Sequence, residues 1–149
     1  MTLLEYLYKA EGNTIHYNKT ESDITSPGGI YRYKHPSAKI FTYIDNIANS
    51  IDIMVPSKNW TQSDIEKVNN KLTDKSTIND LVMDFYNEYN KNAHLEKFTE
   101  SVQTAMFSLY TNSPANAWKS VQSAINKFHS NGIINYKYNL FQCSSYLLL

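Results

Sequence analysis

The chain has few of the features that would tie it to a membrane, a metal or a nucleic acid. Its single cysteine, Cys143, excludes an intramolecular disulfide and a cysteine-based metal site. No apolar run reaches the length of a transmembrane helix. Basic and acidic residues number 14 each, and the formal net charge of +0 gives no general attraction to nucleic acid or to an anionic membrane. We therefore expect no nucleic-acid partner and no stable membrane insertion.

The N-terminus, the length and the aromatic content narrow the class of protein further. The first residues lack the basic-then-apolar layout of a signal peptide, so we expect synthesis in the cytoplasm without a cleaved leader. A length of 149 residues predicts a single domain with a real hydrophobic core. The 12 tyrosines, against 6 phenylalanines and 2 tryptophans, are typical either of a sugar- or peptide-binding surface or of an AT-rich genome.

The hydrophobic pattern predicts a mainly α fold with one long irregular segment near the front. Residues 2–11 repeat apolar side chains at helical spacing, and Gly12 ends that helix. Residues 13–35 have no helical period; the Pro-Gly-Gly turn signal at 27–29 and short runs at 15–17 and 30–33 predict a small β-hairpin lobe. Further helices are predicted to begin at Pro36, Thr61, Ser76 or Thr77, about Leu95, and Ser113. The total is about six helices.

Glu11 is the residue of greatest chemical interest. It shares a helix face with Leu4, Leu7 and Tyr8 and lies in the last turn. Loss of water and the negative end of the helix dipole both disfavour the carboxylate form, so we expect this acid to keep its proton more readily than usual. A protonated carboxylic acid is what a glycosidase needs as its general acid. The alternative is that the side chain turns into solvent.

Several motifs, in order, resemble those of the glycosyl hydrolase family 108 muramidases. Glu-Gly at 11–12, Tyr-Asn at 17–18 and Pro-Gly-Gly at 27–29 resemble the family's Glu-Gly-Gly-Tyr and Asp-Pro-Gly-Gly signature. Residues 81–89 resemble its Ile-Tyr-x-x-Tyr-Trp helix without the tryptophan, and residues 95–135 resemble its later helices, including a peptidoglycan-binding stretch. The resemblance spans roughly residues 3–135 and implies one lysozyme-like domain over residues 1–149, with residues 13–35 forming the cleft segment.

The resemblance implies an N-acetylmuramidase that cleaves the β-1,4 glycosidic bond of the cell-wall glycan. Glu11 would be the general acid, and a second carboxylate would stabilise the transition state or activate water. We assign that second role to Asp23, which lies closer to the Pro-Gly-Gly turn than the alternative, Glu21. Ser26 occupies the position where the family has its Asp, and Ile30 follows the turn where a Thr is expected, so the surroundings of Glu11 are remodelled.

The irregular segment also supplies candidate substrate-binding side chains. Tyr17, Tyr31 and Tyr33 are candidates for stacking on sugar rings, and the last two would share a face if their run is extended. Arg32 is a candidate partner for a muramyl or peptide carboxylate. Hairpin packing and plain solvation are the alternatives. The chemistry needs no cofactor, and the two histidines that flank the hairpin have no spacing that supports a metal site.

Two functions from different classes follow. The first is a bacteriolytic peptidoglycan hydrolase acting in the periplasm or cell wall, whose partners are the glycan strand and, for delivery, a holin, a secretion apparatus or a phage particle. The second is a non-catalytic lysozyme-fold protein that binds glycan or a protein partner. The retained Glu11 favours the first. The absence of a net positive charge, which concentrates many wall hydrolases on an anionic envelope, favours the second.

Overall fold

The computed structural model describes residues 2–92 and, beyond them, only the positions 103, 119, 123 and 127. Contacts divide the chain into two compact units, Met1–Ala93 and His94–Leu149. The helices expected from Leu95 onward, their resemblance to a peptidoglycan-binding region and the C-terminal segment lie outside the described residues. The expected single lysozyme-like domain over residues 1–149 therefore stays a prediction.

The described part of the first unit is mostly helical with a small two-stranded sheet, which confirms the predicted mainly α class with a β-hairpin. It contains four helices and two strands, and the order along the chain is α1 (Leu3–Glu11), β1 (His16–Asn18), β2 (Asp23–Thr25), α2 (Lys39–Asn49), α3 (Gln62–Lys71) and α4 (Lys75–Asn92). Short 3₁₀ turns occur at Pro27–Gly29 and Ser57–Asn59. No helix among residues 2–92 is both long and apolar enough to cross a membrane.

Local capping signals fix the ends of α1 and α3. Thr2 and Glu5 form a capping box at the start of α1, in which each side chain bonds the other residue's backbone N–H. Thr61 and Asp64 do the same for α3. Gly12 ends α1 with a φ of 88°, a region that L side chains rarely adopt. These boundaries agree with the sequence prediction.

The second helix begins later than Pro36, where it was predicted. The backbone N–H groups of Lys34 and His35 both bond the carbonyl of Tyr31, which closes a turn before the helix. Ala38 is extended (φ −61°, ψ 131°), and α2 begins only at Lys39. The proline therefore lies in the connection between turn and helix.

The hairpin uses a different second strand from the predicted one. Residues 16–18 pair antiparallel with residues 23–25, whereas Tyr31 makes only an isolated bridge to Thr25. The Asn18 side chain explains the early return, because its Oδ1 accepts from the backbone N–H of Thr20 and of Glu21 at 3.0 and 3.2 Å. The prediction of a strand at 30–33 is wrong for that reason: the chain has already turned back before reaching it.

A core of helical and hairpin side chains holds these elements together. Each fully buried aliphatic side chain contributes about 1.5–3 kcal/mol relative to an exposed one. The Asn69 amide fastens the hairpin to α3, since it donates to the Ile15 carbonyl and accepts from the Ile15 N–H, both at 2.8 Å. The buried side chains of this core include Leu7, Ile15, Ile24, Ile40, Phe41, Ile44, Val68, Val82 and Tyr86.

Candidate active site

The Pro27–Gly29 turn lies directly on the C-terminal end of α1. The Gly28 N–H donates to the Gly12 carbonyl at 2.9 Å, and the Gly12 N–H in turn donates to the Tyr8 carbonyl at 3.0 Å. Gly28 and Gly29 both have positive φ values, of 77° and 88°. The structure therefore brings together two parts of the sequence pattern, the Glu-Gly helix end and the Pro-Gly-Gly turn.

Glu11 lies beneath this turn, in contact with Gly29. A Cβ atom added at Gly29 would come within 2.6 Å of the Glu11 Cγ and 2.7 Å of its Cβ. Only a glycine at position 29 lets the backbone approach the acid so closely. The aliphatic part of Glu11 is covered in this way, and the residue as a whole is partly buried.

The carboxylate of Glu11 has no bonding partner among the described residues 2–92. Within residues 2–92 it makes no hydrogen bond and no ion pair. Partly buried carboxylates usually find such partners, because an unpaired charge away from water is costly. A partly buried acid without a bonding partner is available for proton transfer.

Tyr86 on α4 holds the other side of the turn, and the sequence analysis did not single it out. Its side chain is only 1% exposed, and its hydroxyl donates to the Gly28 carbonyl. Burial raises the pKa of Tyr86, and so does the field of Glu11, with smaller effects from Tyr31 and other nearby tyrosines. The signal was present in the sequence, since residue 86 continues the buried spacing of Ile78 and Val82 by steps of four.

Asp23, the predicted second carboxylate, is bound within the fold. Its Oδ1 accepts from the Ser57 hydroxyl at 2.6 Å and from the Ile24 N–H at 2.7 Å. This fixes the carboxylate between the hairpin and the Ser57–Asn59 turn. Glu21, the alternative, has its Oε1 3.6 Å from Lys34 Nζ. Ser26, for which the resemblance implied an Asp, is fully buried and donates to the Pro27 carbonyl at 3.0 Å.

Arg32 is bound within the fold as well. Its two terminal nitrogens donate to the two oxygens of Asp45 at 2.7 and 2.5 Å, and the guanidinium lies 5.3 Å from the centre of the Phe41 ring. The Asp45 carboxylate raises the pKa of Arg32 above its usual range. The guanidinium thus already has the bidentate carboxylate partner that the sequence analysis sought in the substrate.

The three candidate tyrosines have different environments. Tyr33 is 68% exposed, whereas Tyr17 and Tyr31 are partly buried. Tyr17 lies opposite Ile24 in the hairpin, and Lys34 Nζ lies 5.2 Å above the centre of the Tyr31 ring. Since residues 30–33 are not a strand, strand alternation does not place Tyr31 and Tyr33 on a common face. Tyr33 is the one with most of its surface free for a ligand.

A groove of about 440 Å³ runs between residues 34–39 and one face of α4. His35 lines this groove, with its ring edge-on to Phe85 and Tyr89 at centroid distances of 4.9 and 5.8 Å. Burial lowers the pKa of His35, and the neighbouring Lys34 lowers it further. In the part of the chain that the structure describes, no three His, Cys, Asp or Glu side chains converge on a metal-sized site.

No family model matches the chain, and comparison with curated proteins and with solved structures found no match either.

Proposed function

We propose that the chain is a peptidoglycan hydrolase, an N-acetylmuramidase that uses Glu11 as its general acid. The observation that carries the proposal is the placement of Glu11: partly buried under the Pro27–Gly29 turn, with a carboxyl group that no residue among 2–92 hydrogen-bonds. Cleavage of the β-1,4 bond needs a proton on the leaving oxygen, and an uncommitted acid at the end of a helix supplies it.

For the second role we retain Asp23. The hydrogen bonds from Ser57 and from the Ile24 N–H hold its carboxylate in one orientation, which a transition-state stabiliser or a water-activating base requires. Tyr33 is the best placed of the candidate tyrosines for stacking on a sugar, because it is the most exposed of the three.

A non-catalytic lysozyme-like binding protein is the second candidate, and one observation favours it. Ser26 occupies the position of the family's Asp and is fully buried, so the turn itself contributes no carboxylate next to Glu11. A cleft that has lost a catalytic acid can still bind glycan strands.

The test is to replace Glu11 by Gln, which keeps the size and removes the acid. We expect muropeptide release from purified sacculi, followed by mass spectrometry, to fall about 10²–10⁴-fold. Circular dichroism and the melting temperature should stay unchanged. The matched control is Glu66→Gln, at an exposed Glu on α3 whose carboxylate accepts a hydrogen bond from the Gln62 side chain at 3.1 Å.

Three outcomes separate the two candidates. Loss of release in Glu11→Gln alone supports the hydrolase. Equal release by both variants and wild type removes Glu11 from the mechanism. No release by wild type at any pH contradicts the enzyme, and co-sedimentation of the full chain with sacculi would then support the binding protein.

A further inference from the structure

The groove beside α4 is a second concave surface, separate from the Glu11 carboxyl. One wall is the 34–39 segment, and the other is a single stripe of α4, formed by residues 81, 84, 85, 88 and 89. Its volume of about 440 Å³ is within the usual range of about 300–1,000 Å³ for ligand pockets. It is large enough for a few amino-acid or sugar units.

The two walls carry opposite charges. Lys34 and Lys39 lie on the 34–39 side, and Asp84 and Glu88 lie on α4. Lys39 Nζ and Asp84 Oδ2 are 4.0 Å apart, at the limit of an ion pair, with side chains that are 79% and 66% exposed. A pair this open contributes little to stability. The Lys39–Asp84 pair is therefore accessible to a ligand that carries both signs. Lys34 Nζ lies 3.6 Å from Glu21 Oε1, but its side chain is still 47% exposed.

Three of the side chains that line the groove carry uncharged rings: His35, Phe85 and Tyr89. Phe85 and Tyr89 are stacked at 17°, with ring centres 5.8 Å apart. His35 contacts the edges of both rings, and its lowered pKa favours the neutral imidazole at neutral pH. These rings suit the aliphatic part of a ligand. The charged groups of the ligand would then face the charged side chains of the two walls.

The groove adjoins the candidate active site. Phe85, which lines the groove, is in edge-to-face contact with Tyr86. The Tyr86 hydroxyl donates to the Gly28 carbonyl in the turn over Glu11. Lys34 in its wall lies over Tyr31, which is close enough to Tyr86 to act on it electrostatically.

We propose that this groove binds the peptide stem of peptidoglycan, a short peptide that bears free carboxylates and a side-chain ammonium group. The carboxylates meet Lys34 and Lys39, and the ammonium meets Asp84 and Glu88. A peptide-free glycan is uncharged at most of its groups and would offer these four side chains few opposite charges. The proposal rests on the proposed function and names the part of the substrate, besides the glycan, that the chain recognises.

The experiment measures binding directly, by calorimetry with the full chain and the free tripeptide L-Ala-D-Glu-meso-diaminopimelate. The double variant Asp84→Asn/Glu88→Gln removes the negative wall, and we expect it to weaken binding about three- to tenfold, as for two partly exposed ion pairs. Acetylation of the peptide's side-chain ammonium should weaken binding to wild type by a similar factor and leave the double variant unaffected. Asp80→Asn, an exposed α4 position that does not line the groove, should bind as wild type.

The outcomes distinguish this proposal from the muramidase. Because no cleavage step is involved, a chain that binds the tripeptide but releases no muropeptide contradicts the hydrolase and supports the groove. Equal binding by wild type and the double variant overturns the groove. The proposal is also overturned if a peptide-free N-acetylglucosamine tetramer binds more tightly than the tripeptide and the double variant weakens its binding by the same factor. That result would assign the groove to the glycan.

Discussion

The end of α1 and the β-hairpin each present one of the two proposed catalytic acids, and the fold treats them in opposite ways. Glu11 lies under a glycine turn and has no hydrogen bond from residues 2–92. Asp23 accepts two hydrogen bonds and connects the hairpin to the Ser57–Asn59 turn. The difference separates an acid whose position is set by packing from one whose position is set by hydrogen bonding.

That difference predicts how each acid responds to mutation. A packed, unbonded acid is sensitive to the shape of the surface around it, and its own removal should leave the fold intact. A bonded acid contributes to stability, and its removal leaves a donor without a partner. The following variants test the contrast, from the largest expected effect to the smallest.

Gly29→Ala should be the most damaging change at the Glu11 end. The new Cβ would lie 2.6 Å from the Glu11 Cγ, and φ is 88°. Overpacking and the left-handed conformation together should lower the free energy of unfolding by about 3 kcal/mol, measured by urea denaturation. Muropeptide release should fall as Glu11 is displaced.

Gly12→Ala is the control for Gly29→Ala, since φ is also 88° but no atom lies within 4 Å of the added Cβ. It should show backbone strain alone, about 1–2 kcal/mol. Equal destabilisation by the two variants would mean that the contact between Gly29 and Glu11 is looser than the structure has it.

Tyr86→Phe tests whether α4 holds the turn over Glu11. Without the hydroxyl, the Gly28 carbonyl loses its donor, and we expect a loss of about 1–3 kcal/mol in the free energy of unfolding. If Tyr86 positions the acid, kcat for sacculus cleavage should fall while KM changes little. Tyr33→Phe, at an exposed residue, should leave stability unchanged. A KM effect alone in Tyr86→Phe would contradict the positioning role.

Asp23→Asn and Ser57→Ala separate the structural from the catalytic part of the hairpin acid. Each weakens or removes the 2.6 Å hydrogen bond, so each should cost about 1–1.5 kcal/mol in unfolding free energy. As the second catalytic carboxylate, Asp23 should in addition lose about 10²-fold in kcat when replaced by Asn. If the two variants lose activity equally, Asp23 serves the fold only.

The smallest expected effect is a pH dependence from His35, whose ring contacts Phe85 and Tyr89 of α4. Burial lowers the pKa of His35 in the folded state, so the unfolded chain binds its proton first. Stability should be fully present above about pH 6.5 and decline as the pH falls below it. His35→Gln should flatten this dependence in urea titrations between pH 7.5 and 5.5, and an unchanged slope would contradict the assignment.

Two acidic helix caps affect stability only at lower pH, so they do not interfere with the pH dependence expected from His35. The hydrogen bonds from Thr61 and Thr77 lower the pKa of Asp64 and Asp74, respectively. The stability that they contribute is present above their unfolded pKa, about 3.9, and is lost as the pH falls through the folded value.

Local signals in the sequence predicted the elements that local chemistry determines. The capping start at Thr61 and the glycine stop at Gly12 involve residues only three or four positions apart, and both are in the structure. The second strand was misplaced because a single side chain, Asn18, closes the hairpin earlier than the apolar pattern indicates. Strand pairing depends on such a turn more than on the composition of the strand.

The candidate site was predicted in part, and the remainder depends on contacts between distant residues. The proximity of Glu11 and the glycine turn followed from the motif order. The contribution of Tyr86 did not, because its hydroxyl bonds a carbonyl 58 residues earlier in the chain. Similarly, Arg32 was predicted to bind the substrate, because nothing in the sequence identifies Asp45 as its partner. Asp45 lies 13 positions later, on the next helix.

The hydrogen bonds that run from Tyr86 to Gly28, from Gly28 to Gly12 and from Gly12 to Tyr8 have a consequence for folding order. The three segments come from the start, the middle and the end of the first unit, so no short stretch can build the pocket by itself. Contacts of such long sequence separation form late and slowly. We therefore expect the arrangement of the turn over Glu11 to be complete only after α4 has emerged and docked during synthesis.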